Sequence, residues 1–464
     1  MIIRFKKIKK RTLFYYIVNL VSAVLLMSET TSIIKPFLLI LCSILMIPNP
    51  LSYIPMLFVS SWSISFTALP GLAAFFYYLV LFFISVFISL IINNDKKKIV
   101  TFVSSVPAAR FALLFAIWIF ATAFSSVSGV WYSAVKLALY IIPLYMVSYL
   151  RLNNMAFCRA SIDIIAAFFS VYCLYTLVFA PVDYFSDLET YGQASLRSDM
   201  NPNTASQIVL LLFTILYCEA FRTKKFWLLP FALLNMGSLM VLGSRTAFFT
   251  MVIIAAVYLM IVLRTSLFNK MLISIVFVAL FIGLYSISVG VGRSERLSLS
   301  TIEADGGSGR FYTWEVLLTE VVPYHLVKGV GIGKENYENL PIYSIDADNL
   351  YVDLLTATGI VGLILFFVYY VTNLTHLFLY RKKKRDWDFL IAIFLAYLFE
   401  GIGETVYDMP MFWFWGILSV LAINDFKYAE DQTDQKLEFE PVQKASEEIV
   451  YNNTKYHIQY NQFL

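Results

Sequence analysis

The sequence reads Gly309-Arg310-Phe-Tyr-Thr-Trp314, then Pro323-Tyr-His325-Leu-Val-Lys-Gly329-Val-Gly331-Ile-Gly333, then Asp346-Ala-Asp348-Asn349-Leu-Tyr351. These motifs belong to residues 291–349, a long polar interval between two very hydrophobic parts of the chain. An apolar run over 354–370 follows, with Gly359 and Gly362 near its start. We expect any chemistry that the chain performs to lie in this interval, because its flanks are mostly apolar.

The chain as a whole has the composition of a membrane protein. Of the 464 residues, 59% are hydrophobic and 14% are charged, and the mean hydropathy is +0.73. Repeated apolar runs of roughly 17–25 residues are typical of transmembrane helices. The strands of a membrane β-barrel would alternate polar and apolar residues, and these runs do not. The sequence therefore predicts an all-α polytopic membrane protein whose long polar loop carries a short amphipathic helix.

Polar breaks divide the chain into fourteen apolar segments, or twelve if the proline-rich region 33–69 contributes one pair fewer. The predicted segments are 12–27, 33–47, 51–69, 71–92, 110–128, 131–150, 161–181, 204–221, 226–242, 246–263, 271–290, 350–379, 389–403 and 411–424. Together they predict an integral membrane domain over 1–427. The polar residues 428–464 have no periodic apolar face and are expected to form a disordered cytoplasmic tail.

Basic residues predict the orientation, because Lys and Arg are enriched in cytoplasmic loops. If the N-terminus is cytoplasmic, five basic clusters lie on the same side: Lys96–Lys98, Arg151 with Arg159, Arg222–Lys225, Arg264 with Lys270, and Arg381–Arg385. The loops 182–203 and 291–349 then face outward, together with Arg245 and the turn 404–408. Both termini are expected to be cytoplasmic.

The glycines of Gly329-Val-Gly331-Ile-Gly333-Lys334-Glu335 suggest a nucleotide-binding loop, but the spacing does not support one. A P-loop requires Gly where Lys328 stands and Ser or Thr where Glu335 stands. A Rossmann motif requires a preceding strand and a following helix. We interpret these glycines as a turn that allows close backbone approach.

The positions of two arginine side chains can each be interpreted in two ways. Residues 310–322 have helical spacing. In such a helix one face would contain Arg310, Trp314, Leu317, Leu318 and Val321. This helix either anchors at the outer membrane surface or presents Arg310 to a lipid-linked phosphate, which an arginine binds bidentately. Arg245 lies in a short outward turn, where it either faces an interior cavity or extends to the interface.

Asp348 and Asn349 precede a helix that is predicted to start near Leu350. Either is a preferred N-cap residue. Alternatively, the Asp348 carboxylate accepts a proton from an attacking hydroxyl.

Further polar residues are weaker candidates. Lys136, Asp353 and Glu400 lie within or near segment ends, where pairing between helices accounts for such charges. Of the three histidines, only His325 is predicted to face outward. The four cysteines lie in apolar runs without metal-like spacing. The sequence therefore predicts no metal site and no Ser-His-Asp triad.

Taken in order, the motifs resemble the signature of the O-antigen polymerase and ligase family. The resemblance covers residues 195–365 and the number of spans, and its motifs are Asn201-Pro202-Asn203-Thr-Ala, Ser244-Arg245-Thr246-Ala247, Arg310-x-x-x-Trp314, His325-Leu-Val-Lys-Gly329-Val-Gly331-Ile-Gly333, Asn349-Leu-Tyr351 and Gly359-Ile-Val-Gly362. The chain departs from the family at Asp348, because ligases commonly have His immediately before the residue aligned with Asn349.

The resemblance implies a membrane-embedded glycosyltransferase that acts at the outer face of the bacterial cytoplasmic membrane. Its substrate would be a glycan on undecaprenyl diphosphate, with no nucleotide sugar, metal or other cofactor. Arg310 and Arg245 match the family's outward arginines, and Asp348 is the candidate base. Candidate substrate-binding residues are Arg197, Asn203, Trp314, His325 and Asn349. Expected partners are the bilayer, the lipid-linked glycan, and chain-length regulator and flippase proteins, but no nucleic acid.

We expect a polymerase that joins lipid-linked repeat units into capsule, exopolysaccharide or O-antigen chains. Two alternatives remain open. A ligase would transfer the finished glycan to another acceptor. A flippase or exporter would move the lipid-linked glycan across the bilayer, although transporters tend to show inverted repeats, which are not visible in this sequence.

Overall fold

A computed structural model describes most of the predicted membrane domain. The described residues are 10–27, 34–62, 71–92, 100–102, 105–129, 131–152, 155–179, 182–183, 194–196, 201–262, 266–290, 310–333, 335–338, 347–381 and 386–427. The predicted tail 428–464 lies outside them, as do 184–193 and 197–200 of the first predicted outward loop and 291–309, 334 and 339–346 of the second.

The described residues are mainly helical. The first part of the chain forms α1 (Lys10–Met27), α2 (Ile34–Met46), α3 (Tyr53–Ser60), α4 (Gly71–Ile92), α5 (Pro107–Ala123), α6 (Tyr132–Val147) and α7 (Ala156–Phe179). The second part forms α8 (Pro202–Thr223), α9 (Leu229–Leu242), α10 (Arg245–Val257), α11 (Leu267–Gly290), α12 (Arg310–Val316), α13 (Val322–His325), α14 (Glu335–Glu338), α15 (Leu350–Arg381), α16 (Asp388–Glu400) and α17 (410–427). The predicted all-α class is confirmed, and each predicted apolar segment contains a helix.

Two short antiparallel strand pairs connect helix ends. β1 (Val100–Phe102) pairs with β2 (Leu150–Leu152), and β3 (Val182–Asp183) pairs with β4 (Ala194–Ser195). The first pair brings the segment after α4 beside the segment after α6, with Thr101 opposite Arg151. The ends of α4 and α6 therefore lie at the same end of the bundle.

The helices differ in their capacity to cross a membrane. Five are long and apolar enough by length and composition: α1, α4 from Ala73, α7, α8 and α15. The other apolar helices are shorter. α3 has 8 residues and a length of about 12 Å at 1.5 Å per residue, well below the thickness of a bilayer core. The number of membrane spans therefore stays a prediction.

The core is organised around α8 and α17. The most apolar 18-residue stretch of α8 is 89% buried. The helix packs against α7, α9, α10 and α16. Every described side chain from 410 to 424 in α17 is buried, and its Trp413 stacks on Tyr369 of α15 with ring centroids 5.5 Å apart. The start of α8, the start of α10 and the turn after α16 meet at one end of this core, around the cavities described below.

The predicted glycine turn docks against a break in α15. At Gly359 the helix departs from helical geometry, with φ +68° and ψ −177°. The amide of Val330 donates to the carbonyl of Thr356 at 2.9 Å, and the amide of Ile360 donates to the carbonyl of Leu326 at 2.8 Å. Gly329 has φ +73°, and a Cβ atom there would overlap the Ala357 carbonyl. The interpretation of these glycines as a close-approach turn is confirmed.

Candidate functional site

The two predicted arginines line a single cavity of about 210 Å³ at the end of the bundle. Arg245 is the first residue of α10 and follows Gly243, which ends α9 with φ +68°. Arg310 is the first residue of α12. Trp314, one helical turn later, also lines the cavity. Of the two interpretations of Arg245, the cavity-facing one is confirmed.

Arg310 lies between two carboxylates. Its Nε is 3.3 Å from Asp348 Oδ2, and its Nη2 is 3.3 Å from Glu404 Oε1. These contacts are longer than the roughly 2.7–2.9 Å of a strong charge-assisted hydrogen bond. Because a guanidinium has five N–H donors, the two contacts are compatible with the binding of a further anion in the cavity.

The backbone that carries Asp348 is fixed on both sides. Trp314 Nε1 donates to the carbonyl of Ala347 at 2.6 Å. The amide of Leu350 donates to the carbonyl of Gly401 at 2.7 Å. Asp348 itself has φ +45°, a left-handed conformation that Asp tolerates better than most residues. These contacts orient the Asp348 carboxylate toward Arg310.

Asn349, not Asp348, is the N-cap of α15. Its Oδ1 accepts hydrogen bonds from the amides of Tyr351 at 2.9 Å and Val352 at 3.0 Å. Its Nδ2 donates to the carbonyl of Ile402 at 2.9 Å. The two residues of the Asp-Asn pair therefore differ in position. Asn349 caps α15, whereas the Asp348 side chain faces Arg310.

Glu404 is a further candidate residue that sequence reasoning placed on an outward turn without giving it a role. Its side chain is 9% exposed. Burial raises the pKa of this carboxyl well above its usual range, and the carboxylates of Glu400 and Asp348 add to the rise, whereas Arg310 opposes it. The only sequence signal was an acid in the short turn Gly401-Ile-Gly403-Glu404 between two apolar segments.

The turn that carries Glu404 packs tightly against α10. A Cβ atom on Gly403 would overlap the hydroxyl of Thr246, so a larger residue there would force Thr246 to shift. Thr246 follows Arg245 directly in the chain. The small residue therefore brings the buried carboxylate of Glu404 to the same cavity as both arginines.

A second cavity, of about 380 Å³, adjoins the first. Both cavities are lined by Asn203 and Glu404. Asp348 lines the second, as do Lys136 and Asp353, two of the weaker sequence candidates. The third weaker candidate, Glu400, is buried at the end of α16 and is not part of either lining.

Other predicted residues have different positions. Asn203 is half-buried near the start of α8, and its backbone N–H donates to Asn201 Oδ1 at 2.9 Å. His325 ends α13 outside both linings, and its carbonyl accepts a hydrogen bond from the amide of Gly329 at 2.8 Å. Arg197 lies outside the described residues.

The predicted face of the helix over 310–322 is partly wrong. Leu317 and Val321 are buried as expected, but Leu318 is 43% exposed. A π-helical turn over Leu317–Val321 changes the residue spacing there. α12 also exposes Phe311 and Tyr312, each at 62%. The helix therefore has exposed apolar side chains, as expected of an interfacial helix, and also places Arg310 in the cavity.

Among the residues that the structure describes, no group of three or more His, Cys, Asp or Glu side chains is arranged to hold a metal ion. The four cysteines are free and buried.

The fold and the site define a polytopic helical membrane protein with two arginines lining one cavity at one end of its bundle. Residues 230–367 match a family described as O-antigen ligase, which agrees with the resemblance to the O-antigen polymerase and ligase family. The match covers less than half of the chain. It includes Arg245, Arg310 and Asp348, but not Asn203 or Glu404. No match was found among curated proteins.

The matched domain supports a membrane glycan function of the O-antigen ligase or polymerase type. Members of this family are membrane glycosyltransferase-like enzymes.

Proposed function

We propose that this protein is a membrane polysaccharide polymerase. It joins undecaprenyl-diphosphate-linked oligosaccharide repeat units into capsule, exopolysaccharide or O-antigen chains at the outer face of the cytoplasmic membrane. The observation that carries this proposal is the presence of Arg245 and Arg310 in one cavity, with Asp348 held against Arg310.

The two arginines suit the diphosphate of the donor. A diphosphate offers several anionic oxygens, and planar guanidinium groups bind such oxygens bidentately. Trp314 and Phe311 contribute aromatic surface to the same cavity. Arg245 and Arg310 would hold the donor and stabilise the charge that develops when its diphosphate leaves.

In the proposed reaction, a hydroxyl oxygen of the acceptor sugar attacks the anomeric carbon of the donor sugar. The new glycosidic C–O bond forms while the bond from that carbon to the diphosphate oxygen breaks. The bonding electrons leave with undecaprenyl diphosphate, and the Asp348 carboxylate accepts the hydroxyl proton. Holding both substrates in this orientation removes much of the entropic barrier. Residue chemistry alone therefore accounts for each step.

A ligase is the second candidate function, and the description of the matched family favours it. The polymerase and the ligase differ in what accepts the glycan. Purified protein in lipid nanodiscs is incubated with one lipid-linked repeat unit. We expect a ladder of longer chains, whereas a ligase would require a second acceptor. A flippase would move the labelled lipid across vesicles without changing the chain length.

The proposal also fixes the orientation of the site. The lipid-linked donor is at the outer face, so Arg310 and its interval 291–349 must face outward. Reporter tags inserted in that interval should show an extracytoplasmic location. A cytoplasmic location would exclude the proposed reaction, because the substrate would lie on the opposite side of the bilayer.

A further inference from the structure

We infer that the second cavity receives the acceptor sugar, and that it selects an acceptor end that is uncharged or carries an amine over one that carries a carboxylate. This inference rests on the proposed transfer function and adds the chemical class of the acceptor. It depends on where the second cavity lies and on which side chains line it.

The position of the cavity fits the acceptor. It shares Asn203 and Glu404 with the arginine cavity, so ligands in the two cavities would meet at those residues. Asp348 lines the second cavity while its carboxylate contacts Arg310 of the first. The proposed base is therefore placed where an acceptor hydroxyl would approach a donor held by the arginines.

The lining has the groups that recognise a sugar. Sugar hydroxyls both donate and accept hydrogen bonds, and amide, hydroxyl and carboxylate side chains complement them. The cavity contains such groups together with aromatic rings, which can cover the apolar faces of a sugar ring. These residues are Asn201, Asn203, Ser133, Thr204, Thr405, Tyr132, Tyr337 and Tyr407. With a volume of about 380 Å³, it is within the usual size of small-ligand sites.

The charges in the lining are predominantly negative. The carboxylates of Asp348, Asp353 and Asp408 come from α15, from the segment before it and from the turn after α16, and that turn also contributes the buried acid Glu404. The cationic side chain in the lining is Lys136 of α6. Two of the acids also face Arg310.

One of these carboxylates is held firmly in place. Tyr337 donates a hydrogen bond to Asp353 Oδ1 at 2.5 Å, and Asp353 is buried. Such a carboxylate cannot turn away from an incoming anion without losing this bond. A carboxylated sugar would therefore meet like charges at short range in a partly enclosed space, where repulsion is strong. A sugar amine would instead gain opposite charges.

The inference is tested with soluble acceptors made from the host's own polymer. Short fluorescent fragments are released from it and used in three forms: unmodified, oxidised to a carboxylate at the primary hydroxyl of the terminal sugar, and aminated at that position. The full-length protein in nanodiscs transfers donor from the lipid-linked repeat unit, and each transfer rate is measured. We expect the carboxylate form to react at least about ten-fold more slowly than the others.

Two variants shift the preference in opposite directions. Asp408→Asn removes a negative charge and should raise the ratio of carboxylate to unmodified transfer several-fold. Lys136→Gln removes the positive charge and should lower that ratio. Because each value is a ratio within one protein preparation, partial loss of folded protein does not affect it. Glu315→Gln, an exposed acid of α12 outside both linings, is the control and should leave the ratio unchanged.

The outcomes separate the two proposals. If the wild-type protein makes a ladder but transfers equally to all three fragments, the charge selection is wrong and the polymerase remains. Unchanged ratios in both variants would also exclude the cavity as the source of selection. If no fragment reacts and no ladder forms, the transfer function itself fails. A carboxylated sugar at the natural growing end would overturn the inference directly.

Discussion

Arg310 Nη2 lies 3.3 Å from Glu404 Oε1, although the two residues are 94 positions apart in the sequence. The contact joins the first residue of α12 to the turn after α16. It places a buried acid beside one of the two arginines proposed to bind the donor diphosphate. The affinity of Arg310 for a phosphate therefore depends on the charge of Glu404, because both anions bind the same guanidinium.

The first prediction concerns Arg310. Arg310→Ala should abolish chain elongation while the protein still inserts into the membrane. Arg310→Lys should also reduce transfer by about 100-fold or more, because a lysine cannot reproduce the bidentate geometry. The measurement is the product ladder of purified protein with a lipid-linked repeat unit. Lys328→Ala, an exposed cation of the same interval, is the control; normal chain lengths in Arg310→Ala would remove Arg310 from the mechanism.

The second prediction assigns the proton transfer to Asp348. Asp348→Asn keeps the size of the side chain but removes its basicity, so kcat should fall about 10²–10⁴-fold with little change in the KM of the acceptor. Asn349→Ala is the comparison, because it removes the cap of α15 and should lower stability by about 0.5–2 kcal/mol. Transfer at full rate in Asp348→Asn would show that its carboxylate is not the base.

The third prediction is a pH dependence that originates in Glu404. Burial raises the pKa of this carboxyl well above its usual range. At pH values below the raised pKa, Glu404 is neutral and does not compete with the donor for Arg310. As the pH rises through that pKa, the Glu404 carboxylate forms and competes for Arg310. The KM of the lipid-linked donor should therefore increase with pH across this range, as measured by initial transfer rates.

Glu404→Gln provides the control for this pH effect. The amide is neutral at every pH and resembles the protonated acid in shape. The increase of the donor KM with pH should disappear in this variant, and its KM at high pH should be lower than that of the wild type. A pH profile identical to that of the wild type would mean that Glu404 does not control donor binding.

Most of the helical framework could be predicted from the sequence, because apolar runs bounded by polar breaks have a direct physical cause. Each predicted segment contains a helix, and the capping role of Asn349 follows from local chemistry. The spacing argument failed at Leu318, where a π-helical turn interrupts the regular period. Such a turn is set by packing around the helix and leaves little trace in the order of apolar residues.

The site was only partly predictable. Arg245 and Arg310 were found because charged groups are rare beside apolar segments and because their motifs resemble those of a family. Glu404 was not assigned a role, since its contact with Arg310 depends on how the turn after α16 packs against α10. The second cavity has the same origin, because residues of α6, α8 and α15 contribute to it. Single-sequence patterns do not encode such long-range contacts.

The last prediction tests how the glycine turn supports the site. Gly329 has φ +73°, and an added Cβ would overlap the Ala357 carbonyl of α15. Gly329→Ala should therefore destabilise the protein by at least about 1–3 kcal/mol from backbone strain alone. Gly237 lies inside α9, where an added Cβ meets nothing within 4 Å, so Gly237→Ala should stabilise it by about 0.4–1 kcal/mol.

The two glycine variants form a matched pair, because each adds one methyl group to a membrane-domain glycine and the expected changes have opposite signs. The measurement is the thermal midpoint of the purified protein in detergent, followed by tryptophan fluorescence. Because the turn at Gly329 holds the segment between α13 and α15 against the bundle, Gly329→Ala should also lower the transfer rate. A midpoint equal to that of the wild type would show that docking of this turn into the break at Gly359 contributes little to the fold.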